Sequence, residues 1–184
     1  MLIFPLAVAA GVVLGYLRRG RLRGLGELRF RGFAWVAVAL GMQVALPFAP
    51  PGWRGRLILL SYCFTGAWFV LNTGQRPVAL RCGLLAIAAG WSLNLVPIAL
   101  NGAMPVSTGA IRELSPDRGA QLRVDIRKHV VAHRGTRLAC LGDVIPVVPL
   151  RSVVSVGDLF IGMGLAITVA SAMAGRGRPR VDGP

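Results

Sequence analysis

Two short units in the last third of the sequence carry residues that could do chemistry: Leu141-Gly142-Asp143-Val144-Ile145-Pro146 and Val156-Gly157-Asp158-Leu159-Phe160. Each sets a carboxylate after a glycine and ahead of apolar residues. One straight helix through the interval would hold the carboxylates about 22 Å apart. Pro146 and Pro149 forbid that helix and favour a turn that lets the two approach. Two carboxylates in one low-dielectric site cannot both ionise easily and would hold a proton between them. One could then activate water as a base while the other polarises a carbonyl, with the flanking glycines admitting a substrate backbone. The structural alternative, which the residue pattern favours, has Asp143 capping a turn and Asp158 capping a helix N-terminus.

Other polar residues surround this candidate dyad in the reading. Asn94, Asn101, Ser107, His129, Gly142, Ser155 and Gly157 are its expected lining. For Gln43, Asn72 and Asn94 the first expectation is structural, as interhelical hydrogen bonds of about 0.6 to 2 kcal/mol each. His129 and His133 stand one helical turn apart, a spacing that can chelate zinc if a third ligand is available, but no Glu follows His129, so the zinc-protease motif fails and no metal is expected; His129 could alternatively approach the aspartates. Of the three cysteines, Cys63 and Cys82 fall in apolar segments and Cys140 beside a charged loop, which gives no disulfide framework. No Gly-rich phosphate loop, nucleophile elbow or haem-attachment motif is present, and no cofactor is expected.

The elements that must position these residues are apolar. The 184 residues are 54% hydrophobic and 15% charged, where a soluble domain would be nearer a quarter charged. The charges lie between long uncharged runs, the pattern of segments that face lipid. The sequence predicts an all-α bundle of about five transmembrane helices, over 1–17, 33–48, 57–71, 78–100 and 156–174. It is one membrane domain with one external hydrophilic segment, 101–155, and a basic tail, 175–184. Pro50-Pro51-Gly52 reads as a turn, Ser115-Pro116 as another, and Gln121 to His133 as an amphipathic stretch. Small residues recur every four positions in the last span from Asp158 to Ala174, and at Ala7, Gly11 and Gly15 and at Ala86, Gly90 and Asn94. Such rows let helices approach closely.

The net charge of +14 comes from twenty arginines and one lysine. Six arginines between Arg18 and Arg31 place that loop inside the cell, and Arg176, Arg178 and Arg180 place the C-terminus there too, leaving the N-terminus outside. The expected location is the plasma membrane. The external segment is itself basic, which the rule tolerates in long folded loops. A re-entrant turn over 142–154 is the rival topology. Membrane lipids are the expected partners of the arginines, with another membrane protein on a small-residue face as a further partner. Nucleic acid is not expected, because no zinc pattern, RNA-binding signature or aromatic-interleaved basic helix is present.

Two resemblances follow from these motifs. Asn101-Gly102-Ala103-Met104-Pro105-Val106-Ser107, His129, Thr136-Arg137-Leu138 and the two Gly-Asp units together resemble an uncharacterised bacterial integral-membrane family, a domain of unknown function. That resemblance covers most of the chain and implies a multi-pass protein without naming an activity. Over about 30 residues the C-terminal third also resembles lipoprotein signal peptidase, whose catalytic aspartates would correspond to Asp143 and Asp158. Ser155 stands where that family has Asn, Gly157 where it has Ala, and its Gly-Asn-x-x-Asp-Arg segment is missing. The Gly-Asp pair is similar to that of presenilin-like intramembrane proteases, with Cys140 in place of their first glycine. The leading expectation is a multi-pass membrane protein with a polar site at its outer face around Asp143 and Asp158. An aspartic-type membrane protease is the alternative, and a small transporter or assembly subunit a third.

Overall fold

A computed structural model describes residues 2–74, 76–114 and 129–174. Helix α1 spans Ile3–Leu17, and the short α2, Arg23–Gly26, sits in the arginine-rich loop. Helix α3 covers Phe33–Ala45 and tightens into a 3-10 turn at Leu46–Phe48. The long helices α4, Pro51–Thr73, and α5, Val78–Asn101, follow. Pro51 opens α4 rather than forming a turn with Gly52, because a proline in the first helical position gives up only an N–H that the helix could not use. The helix read from the sequence as the third span therefore begins several residues earlier than expected.

The segment after α5 corrects the all-α reading. Strand β1, Met104–Val106, is followed by α6, Thr108–Leu114, then β2, His129–Val131, β3, Ile145–Val147, and β4, Ser152–Val154. Helix α7, Val156–Ala174, closes the order. β1 pairs in parallel with β2, and β3 pairs antiparallel with β4. These strands are valine-rich and broken by Pro105, Pro146 and Pro149, so they are too short and too β-branched to continue a helix. The stretch 142–154 is a small hairpin turning through Val148–Leu150 beside α6. Ser115-Pro116, most of the amphipathic stretch and the basic tail lie outside the described residues.

Helices α5 and α7 are long and apolar enough to cross a membrane, while α1 and Phe33–Phe48 are shorter apolar helices. α7 is the centre of the assembly, packed along α1 on one side and α5 on the other, with α4 on α5 and α3 on α4. The small-residue rows make the two α7 seams. A Cβ on Gly11 would meet Ala166, and one on Gly15 would meet Met173, so the α1 row lies against α7. On the other seam, Gly90 faces Gly157 and Ile161, and Gly83 faces Gly164 and Thr168. The α5 side of α7 is thus a second small-residue row, through Gly157 and Gly164, beside the one beginning at Asp158.

The bundle has two distinct ends. At the arginine end, Asn72 takes both backbone groups of Arg31, accepting from its N–H at 2.8 Å and donating to its carbonyl at 3.0 Å. At the other end the strands form a cap over α5 and α7. There Asn101 pairs with Arg137 in the same way, accepting from N–H at 3.0 Å and donating to the carbonyl at 2.8 Å. Gly102, with φ +75°, turns the chain out of α5, and its N–H closes the helix on Ile98 at 2.8 Å.

Candidate functional site

The cap begins where α7 begins, at a reciprocal capping box. Ser155 precedes the helix, and its Oγ accepts from the Asp158 backbone N–H at 3.0 Å, while Asp158 Oδ2 accepts from the Ser155 N–H at 3.1 Å. Asn94 of α5 joins both. Its Nδ2 donates to Asp158 Oδ1 at 3.0 Å, and its Oδ1 accepts from Ser155 Oγ at 2.8 Å. All three side chains are buried. A buried carboxylate is tolerated only where such partners replace water. Asp158 thus lies at the head of α7, but the residue that caps the helix N–H groups is Ser155; Asp158 answers it from the third helical position and binds α7 to α5 as well.

Gly157 is required by the same contact. A Cβ there would run into the Asn94 amide and the Gly90 carbonyl. Gly142 has a matching role in the cap, where a Cβ would strike the Pro105 carbonyl. Both glycines admit a neighbouring segment of this chain rather than opening room for a substrate.

Asp143 is positioned by main-chain pairing. Its N–H donates to the Pro105 carbonyl at 2.8 Å, and its carbonyl accepts from the Ser107 N–H at 2.9 Å, so Asp143 flanks β1 on the side opposite β2. Its carboxylate does not cap a turn. Oδ2 lies 3.3 Å from His129 Nε2, with 7% of the Asp143 side chain and 28% of the His129 side chain exposed. His129 therefore screens the carboxylate from the solvent side. Oδ1 of Asp143 has no hydrogen-bond partner among the described residues. Because His129 lies on a strand, the helical spacing to His133 does not arise. His133 Nδ1 instead accepts from the Gly135 N–H at 3.1 Å.

Asp143 and Asp158 line one cavity of about 270 Å³ beneath the cap, together with Asn94 and His129. No hydrogen bond joins the two carboxylates among the described residues. Gln43 and Tyr62 complete the polar wall, and Leu46, Ile58, Ile98 and Met104 form a buried apolar cluster against it. Gln43 Nε2 also donates to Ser61 Oγ at 2.7 Å, and the Tyr62 ring stacks on Trp91. Tyr62 was not singled out by sequence reasoning. Its signal was the group Ser61, Tyr62 and Thr65 at helical spacing inside an otherwise apolar run. Asn101 and Ser107 do not reach the cavity: Asn101 clamps Arg137, and Ser107 Oγ accepts from the Ala110 N–H at the start of α6. Inward of Asn94 the α5–α7 seam is closed by Gly90 on Gly157 and Gly83 on Gly164.

The class defined by this structure is a predominantly helical protein with two helices capable of crossing a membrane and an acid-lined cavity under a small β cap. The profile of a family described as "Family of unknown function (DUF5317)" matches residues 27–170, and the chain belongs to that family. The match takes in α3 to most of α7, and with them both Gly-Asp units. No curated protein and no solved structure matches the chain.

Proposed function

We propose that the chain is a five-pass membrane protein of the plasma membrane that binds a small cationic group at its outer face. In this reading the arginine end lies inside, against anionic headgroups, and the cap and N-terminus lie outside. Two helices long and apolar enough to cross a membrane, two shorter apolar ones, and the apolar run 57–71 within α4, with a basic loop at one end, support that arrangement. The observation that carries the binding role is the cavity itself, where a carboxylate that is almost fully enclosed keeps one oxygen unpartnered. That oxygen is not among the wholly buried unpartnered atoms and so opens on the cavity, where a ligand ammonium can reach it and donate a charge-assisted hydrogen bond. A hydrogen-bonding cation fits the walls better than a metal ion, since no group of three or more His, Cys, Asp or Glu converges among the described residues. Titrating the purified protein with butylammonium, followed by calorimetry, tests the reading. Saturable binding that Asp143→Asn weakens at least tenfold is the expected result, and no binding to the unaltered protein overturns it.

A second reading, aspartic-type hydrolysis, is favoured by one fact: both Gly-Asp carboxylates face the same cavity. To work as a dyad, Asp158 would have to release Asn94 or the Ser155 N–H. Replacing Asp143 or Asp158 by Asn and following cleavage of candidate lipoproteins decides it, and unchanged processing removes the enzyme.

A further inference from the structure

The way into the cavity points to the kind of ligand. The five long helices form an open row, α1 on α7, α7 on α5, α5 on α4 and α4 on α3, with no comparable packing of α1 against α3 or α4. Yet Phe4 of α1 lines the same cavity as Gln43 of α3 and Leu46 just beyond it. The cavity therefore lies behind a slot between the two ends of the row. Near the cap both row ends carry exposed apolar side chains, Leu2 and Leu6 on one, Val44 and Phe48 on the other, with Phe48 86% exposed. A volume of about 270 Å³ falls just under the range of roughly 300–1,000 Å³ that encloses a drug-sized ligand whole. It suits a charged head and a few methylenes, with any longer tail left in the slot.

Resting on the reading that the cavity takes a cationic group, we propose that the ligand is a long-chain ammonium amphiphile entering sideways between α1 and α3. Its head meets the free Oδ1 of Asp143, and its chain stays among the apolar lips of the slot. The apolar chain partitions the ligand into the lipid beside the slot and so lowers the concentration needed to fill the site, whereas a ligand arriving from the aqueous side gains nothing from a tail.

The test uses the full chain in a fixed concentration of neutral detergent, with thermal unfolding as the readout. Three probes are compared: dodecylammonium, which has head and tail, butylammonium, which has the head, and dodecanol, which has the tail. The expected result is a rise in midpoint with dodecylammonium at concentrations at least tenfold below those needed for butylammonium, no rise with dodecanol, and at least tenfold loss of the dodecylammonium response in Asp143→Asn. Equal potency of the two amines overturns lateral entry and leaves the cationic site standing, with a water-borne ligand as its source. A response to dodecanol equal to that of dodecylammonium overturns the role of the head. Absence of any amine response overturns both this inference and the binding reading. Should Asp143→Asn fail to fold, the comparison of the three probes on the unaltered chain still decides.

Discussion

At the scale of single residues, the site is built from groups that each answer two demands. Ser155 Oγ accepts the Asp158 N–H in the first turn of α7 and donates across to α5, and Asp158 accepts from Asn94 of α5 and from the Ser155 N–H. Ser155→Ala should destabilise the protein by about 2 kcal/mol, the upper range for loss of an N-cap, because it also leaves Asn94 Oδ1 unpaired in a buried position. Denaturation in detergent measures this, and a cost below about 0.5 kcal/mol would show that the ring of hydrogen bonds does not hold α7. Thr168→Val makes the opposite expectation. Thr168 Oγ1 is buried without a partner among the described residues, so removing the hydroxyl should be neutral or slightly stabilising. The place of Asp158 at the head of α7 was legible in the sequence, although the cap itself is Ser155, which three residues ahead of an acid before an apolar run makes a capping box. The role of Asp143 was not, because its carboxylate is set by pairing between segments more than thirty residues apart.

At the scale of elements, the glycines on α7 divide by which seam they face. Gly157→Ala places a methyl on α5 and should cost about 1–3 kcal/mol, as overpacked contacts do. Gly162→Ala meets only the Ala7 methyl, at 3.6 Å. It should be neutral or stabilise by up to about 1 kcal/mol, the helix preference for Ala over Gly. Thermal unfolding should therefore fall for Gly157→Ala and hold or rise for Gly162→Ala, and an equal fall in both would refute the assigned seams. The apolar runs named the helices well because a long uncharged segment has few other folds open to it. The four strands escaped because three-residue segments carry no period that a sequence can display. Their pairing depends on long-range partners instead, Met104 with His129 in one sheet and Ile145 with Val154 in the other.

At the scale of the whole molecule, the proposed orientation rests on where the arginines and the cap lie. The native cysteines report on it directly. All three are exposed on the protein surface, but Cys140 lies in the cap, whereas Cys63 and Cys82 lie on α4 and α5, where the proposed bilayer covers them. A membrane-impermeant maleimide added to intact cells should label Cys140 and spare the other two. Labelling only after permeabilisation would invert the topology and move the cavity to the inner face. The open row of helices could not be seen in the sequence at all. Small-residue rows announce that helices meet, but they do not say which pair stays apart.

The clamp at the cap end has a chemical corollary. Asn101-Gly102 is the dipeptide most prone to spontaneous ring closure and deamidation, since an unhindered glycine nitrogen can attack the neighbouring amide. Here that nitrogen is engaged with Ile98, while the Asn101 amide is held by Pro97 and Arg137. Ageing at this bond is thereby suspended for as long as the cap is shut. Once hydrolysed, the side chain would lose the donor that grips Arg137 and could not regain it. Slow accumulation of aspartate or isoaspartate at position 101 would then record how often the Asn101–Arg137 clamp is broken.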